Sequence, residues 1–88
     1  MSESRDRRRE ERSAVTGKIS LTITEPVARQ FEGELVDVSS SGFRAAHRLA
    51  DLDKGQEILF RHGRGSGHAK VMWTRIVGGE AESGFLVL

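Results

Sequence analysis

Wherever the apolar residues of this 88-residue chain show a period, the period is two. Between residues 18 and 24, Ile19, Leu21 and Ile23 alternate with Lys18, Ser20, Thr22 and Thr24, the pattern of a strand with one buried face. Residues 56–62 alternate again, with Ile58 and Phe60 on one face and Glu57, Leu59 and Arg61 on the other. Residues 68–77 place Ala69, Val71 and Trp73 together, and Trp73 reads as core or barrel-face packing rather than a ligand platform. Three further strands are expected: 28–38 with Gly33 as a bulge or bend, a short run at 43–47, and a last one at 83–88. Glu25-Pro26 breaks the first run, and the glycine-bearing stretches 63–67 and 78–82 read as hairpin connections. Only 48–54 offers a helical alternative. It is short and mixed, and reads as a loop closed by Lys54-Gly55. Six short strands at near-regular spacing predict an all-β fold, a small antiparallel barrel or sandwich.

A chain this short builds one modest core. It contains no cysteine, so disulfides, thiolate nucleophiles and cysteine-bound metals are excluded, in keeping with a reducing, cytoplasmic setting. No apolar run reaches the roughly 20 residues of a membrane-spanning helix, so no membrane insertion is expected. The formal net charge is +1, which argues against DNA or RNA binding through a broad basic field. His47, His62 and His68 lack metal-ligand spacing and read as solvent-facing strand or loop positions. No serine, histidine and acid suggest a triad, and the chain is not expected to be an enzyme.

Two polar stretches stand out. Residues 1–12 hold Arg5, Arg7, Arg8, Arg9 and Arg12 with almost no apolar side chain, so they are expected to form a flexible arm outside a domain at 13–88. A solvated tail with Glu/Arg pairs is one reading of the arm, and an anion clamp is the other. An arginine fork suits a clamp because it grips phosphate bidentately and can bond a guanine edge. The second stretch is Val36-Asp37-Val38-Ser39-Ser40-Ser41-Gly42-Phe43. Asp37, Ser39 and Gly42 can serve turn chemistry alone, as an Asx turn, a capping hydroxyl and a left-handed glycine. The same atoms can serve recognition. A carboxylate accepts from the N1–H and N2 amino edge of guanine, a hydroxyl donates to a ring nitrogen or phosphate, and a glycine leaves room for a flat base.

Taken together, Arg8-Arg9-Glu10-Glu11-Arg12 followed by Asp37-Val38-Ser39-Ser40-Ser41-Gly42 resembles the R-x-x-x-R and [DN]-x-S-x-x-G signatures of the PilZ domain family, bacterial receptors for cyclic di-GMP. Lys54-Gly55-Gln56, Val71-Met72-Trp73 and Gly84-Phe85 also fall where that family has similar residues, so the likeness runs along nearly the whole chain.

The resemblance implies a six-stranded antiparallel β-barrel of the PilZ-like, split-barrel type with ligand on its outer face, here without a long C-terminal helix. It implies ligand contacts from Arg8, Arg9 and Arg12 to phosphates and guanine, from Asp37 and Ser39 to guanine, an open surface at Gly42, and a place beside the ligand for Trp73. It also implies a signalling receptor that passes the message to a downstream protein partner. Glu10 and Glu11 depart from a purely basic arm and compete with phosphate for the arginines. The rival expectation is a degenerate PilZ-like interaction module that binds no nucleotide. A barrel that binds single-stranded nucleic acid is disfavoured by the near-neutral charge and the absence of tyrosine.

Overall fold

The computed structural model describes residues 13–14, 16–25, 27–49, 52–63 and 65–88. These form strands β1 (Ser13–Ala14), β2 (Lys18–Ile23), β3 (Arg29–Val38), β4 (Gly42–His47), β5 (Glu57–His62), β6 (Gly65–Val77) and β7 (Glu80–Val87), with no helix among the described residues. All pairings are antiparallel. The order β3-β2-β5-β6-β7-β4 closes through a β3–β4 pairing into a six-stranded barrel. Closure gives every strand of the ring a partner on both sides, although β6 beyond Val71 pairs with β7 alone.

Alternation explains the core. Ile19, Leu21 and Ile23 point inward from β2, as do Ile58 and Phe60 from β5 and Ala69 and Val71 from β6. Leu35, Phe43, Ala45 and Phe85 complete the lining, and Leu52 packs in from the loop between β4 and β5. Phe43 is the hub. Its ring lies 4.8 Å from Phe85 and 4.9 Å from Phe60, with His62 edge-on at 5.9 Å.

β6 and β7 are longer than their hydrophobic pattern predicts, because their turn is tighter. Val77 pairs with Glu80, so only Gly78 and Gly79 turn the chain. Their φ values of +62° and +107° meet the demand of a two-residue turn for positive φ at both positions. β6 also starts at Gly65, inside the glycine-rich stretch expected to be loop. The bulge in β3 falls between Leu35 and Asp37 rather than at Gly33. Gly33 instead faces the Ala46 carbonyl so closely that no Cβ would fit.

Two histidines correct the expectation of solvent exposure. His62 is half-buried and stacks on Phe60 at 5.4 Å. His47 is only 2% exposed. Leu49 N–H donates to His47 Nδ1 at 3.1 Å, so the ring proton sits on Nε2 and donates to Ser83 Oγ at 2.7 Å. Ser83 Oγ also shares a hydrogen bond with Thr74 Oγ1 at 2.6 Å. Burial lowers the His47 pKa from its ordinary value, against a weaker opposing pull from Glu80. A second proton would also point Nδ1–H at the Leu49 N–H. The unfolded chain therefore takes up the proton first as pH falls. Stability from this group is full above about pH 6.5 and declines below it. Melting temperatures measured between pH 7.5 and 5 should fall with pH, and His47→Gln should flatten that slope. An unchanged slope in the variant would assign the pH effect elsewhere.

Candidate functional site

The serine-rich corner closes the β3–β4 hairpin. Val38 pairs with Phe43, and the chain turns back between them. The Gly42 carbonyl accepts from Ser39 N at 2.8 Å and from Ser39 Oγ at 3.3 Å. Ser41 O accepts from Val87 N at 2.8 Å, which ties the corner to the end of β7. Ser39 is thus half-buried and already bonded within the turn. Gly42 has no positive φ. It is glycine for a different reason: a Cβ there would run into the Phe85 carbonyl oxygen. Its surface is covered by β7 rather than open to a flat ligand.

Asp37 lies on the outer face of β3 opposite Arg44 on β4. Arg44 Nε donates to Asp37 Oδ2 at 2.8 Å, and Arg44 Nη2 bonds the same oxygen. The Asp37 hydrogen bond raises the Arg44 pKa, partly opposed by desolvation and helped by the charges of Asp37 and Glu82. Asp37 is 5% exposed, whereas the Arg44 side chain is 33% exposed. The carboxylate therefore anchors the guanidinium and leaves part of it facing solvent.

The row continues across the barrel. Arg44 pairs with Gly84 on β7, and Gly84 pairs with Trp73 on β6. Alternation alone would send Trp73 inward with Ala69 and Val71. The bulge between Val71 and Trp73 turns it outward instead. Its indole lies against Gly84, where any Cβ would overlap the ring. Trp73 is 37% exposed, so its ring is a partly open flat surface packed on the barrel. Arg75 sits 5.3 Å from the ring centroid and donates to Glu82 Oε1 at 3.1 and 2.9 Å. Asp37, Arg44, Trp73 and Arg75 thus form one outer strip with two anchored guanidiniums and an aromatic face.

Arg8, Arg9 and Arg12 lie outside the described residues. What the structure does show is the point of attachment of the segment that carries them. β1 pairs Ser13 with Val38 and Ala14 with Asp37. The chain therefore joins the barrel beside the corner, and Leu35 N donates to Gly17 O at 2.8 Å to hold the entry.

Arg44 and Arg75 were not singled out by the sequence motifs. A signal for Arg44 exists: a hairpin that closes Val38 onto Phe43 sets Asp37 against Arg44. Among the described residues no group of histidines and acids could hold a metal ion, and no helix is long and apolar enough to cross a membrane. The chain matches no family model and no curated protein.

Proposed function

We propose that this chain is a PilZ-type receptor for cyclic di-GMP, a binding protein and not a catalyst. The observation that carries the reading is the β1–β3 pairing, which attaches the arginine-rich segment at the end of β3 that holds Asp37. Arg12 immediately precedes Ser13, and consecutive Cα atoms are about 3.8 Å apart. An arginine within reach of a carboxylate and a hydroxyl at a rigid turn is a fitting receptor for a ligand that combines phosphates with guanine edges.

In this mechanism Arg8, Arg9 and Arg12 supply charge-assisted bonds to the phosphates and guanine faces. Asp37 accepts from the guanine N1–H and N2 edge, sharing its carboxylate with Arg44 or exchanging it for the ligand. Ser39 adds a hydroxyl at the corner, and Trp73 supplies a flat face. The binding energy must exceed the entropy lost when the arginines take fixed positions. The ordered surface would then meet a downstream protein in the bacterial cytoplasm. Ile76 and Val77, 64% and 50% exposed near the β6–β7 turn, are apolar positions suited to such a contact. They also favour the second reading, an interaction module that works without nucleotide.

Isothermal titration calorimetry with cyclic di-GMP, using GTP as control, separates the two. Saturable heat with cyclic di-GMP alone supports the receptor, and the stoichiometry distinguishes a monomeric ligand from a stacked dimer. Arg8→Ala and Arg12→Ala should each weaken binding by about 1.5–3 kcal/mol, the value of a hydrogen bond to a charged group. Unchanged affinity in both variants would sink the site assignment. No heat with the native chain would leave the interaction module.

A further inference from the structure

The barrel carries a second set of polar groups away from the Asp37 strip. Around the closed ring, β5 lies three strands from β4 in either direction. On its outer face the register builds two short rows. Ser20 of β2 pairs with Arg61 of β5, and Arg61 pairs with Ser66 of β6. One step along the strands, Thr22 pairs with Leu59, and Leu59 pairs with His68. Directly opposed side chains have Cβ atoms about 4.5–5.5 Å apart. Arg61 therefore sits in a cross-strand row between two serines.

These six side chains line a shallow groove of about 500 Å³. Gln30 reaches in from β3 and donates to Ser20 Oγ at 3.0 Å. That bond occupies the oxygen as an acceptor and leaves the Ser20 hydroxyl proton for another partner. Leu59, 36% exposed, puts an apolar patch beside the donors.

The charge at the centre is uncommitted. Arg44, Arg48 and Arg75 pair with Asp37, Glu80 and Glu82. Arg61 is exposed and, among the described residues, has no ion pair or side-chain hydrogen bond. Glu32 flanks Ser20 on β3, and Glu57 lies two residues from Leu59 on β5. These acids bound the groove and confine an anion to the Arg61 row.

We infer that this groove binds a phosphate monoester. A planar carboxylate would be filled by the guanidinium fork alone and leave both serines unused. A tetrahedral phosphate offers further oxygens to the serine hydroxyls after the fork has bonded two. The organic part of the ligand then lies over Leu59, with Thr22 and His68 to meet its hydroxyls. A nucleoside monophosphate and a sugar phosphate share this chemistry.

The test is a titration of the full ¹⁵N-labelled chain, followed by NMR, with inorganic phosphate, a hexose 6-phosphate and a nucleoside 5′-monophosphate. Saturable shifts should centre on Ser20, Arg61, Ser66 and His68. Either ester should bind more tightly than phosphate, and the tighter ester names the source. Arg61→Ala should weaken binding at least about tenfold, because it removes a charged donor. Absence of saturable shifts with all three probes would overturn the inference, as would equal affinity in Arg61→Ala. Cyclic di-GMP provides the separation from the first site. Its binding should be insensitive to Arg61→Ala and sensitive to Arg12→Ala, with the reverse for the monoester.

Discussion

Phe43→Ala should destabilise the barrel by about 3–5 kcal/mol, the range for removing a large aromatic from a core. Phe43 is 2% exposed and touches Phe60, His62 and Phe85 at once. Truncation removes the shared member of these contacts and opens a cavity that fixed strands cannot easily close. A small domain commonly has only about 5–15 kcal/mol of stability. The variant should therefore show a much lower urea midpoint with a similar slope. A loss below about 1 kcal/mol would mean that the aromatic cluster can rearrange around the gap.

Gly42→Ala should cost about 3 kcal/mol, at the upper end of ordinary overpacking. The new methyl would meet the Phe85 carbonyl oxygen, which belongs to a paired strand and cannot swing aside like a side chain. Relief requires β4 and β7 to part at Gly42–Leu86, the pair next to the Phe43–Phe85 stack. Thermal denaturation checks the size of the loss. The result bears on the binding site as well. Weaker cyclic di-GMP binding in this variant would first report a disturbed seam. Arg8→Ala and Arg12→Ala are cleaner probes, since both keep glycine at the Gly42–Phe85 contact. A Gly42→Ala protein as stable as the native chain would show that the strands separate at little cost.

The barrel was legible because buried strand faces obey a strict period. Ile19, Leu21 and Ile23 fix β2, and Ile58 and Phe60 fix β5, with no competing helical pattern. Trp73 was harder to place. A single extra residue between Val71 and Trp73 reverses the face, and periodicity carries no mark of a bulge. His47 was misplaced for a related reason. A histidine at an inward position needs polar partners, and Ser83 and Thr74 come from strands distant in sequence. The turns at 63–67 and 78–82 were drawn too wide because glycine signals a turn without saying which residues remain paired.

The candidate site was legible in part. The motif pointed to Asp37, Ser39 and Gly42, and all three do meet at one corner of the barrel. It could not foresee that Gly42 serves strand packing, since that depends on a carbonyl more than forty residues away. Nor did it reveal Arg44, whose place follows from the hairpin register rather than from any motif.

The strand order also bears on how the chain reaches its native state. β2, β3 and β4 pair with their sequence neighbours, and so do β5, β6 and β7. Only the β2–β5 and β4–β7 seams join the two sets. Each half is a meander whose pairings close short loops at small entropic cost. The seams unite segments far apart in the chain and carry the slow, high-contact-order part of folding. Phe43 and Phe85 face each other across the β4–β7 seam, so their stacked contact is made only when the two halves zip together. Until that moment both meanders expose free edges to other chains, and the speed of zipping sets how long the nascent protein is open to misassembly.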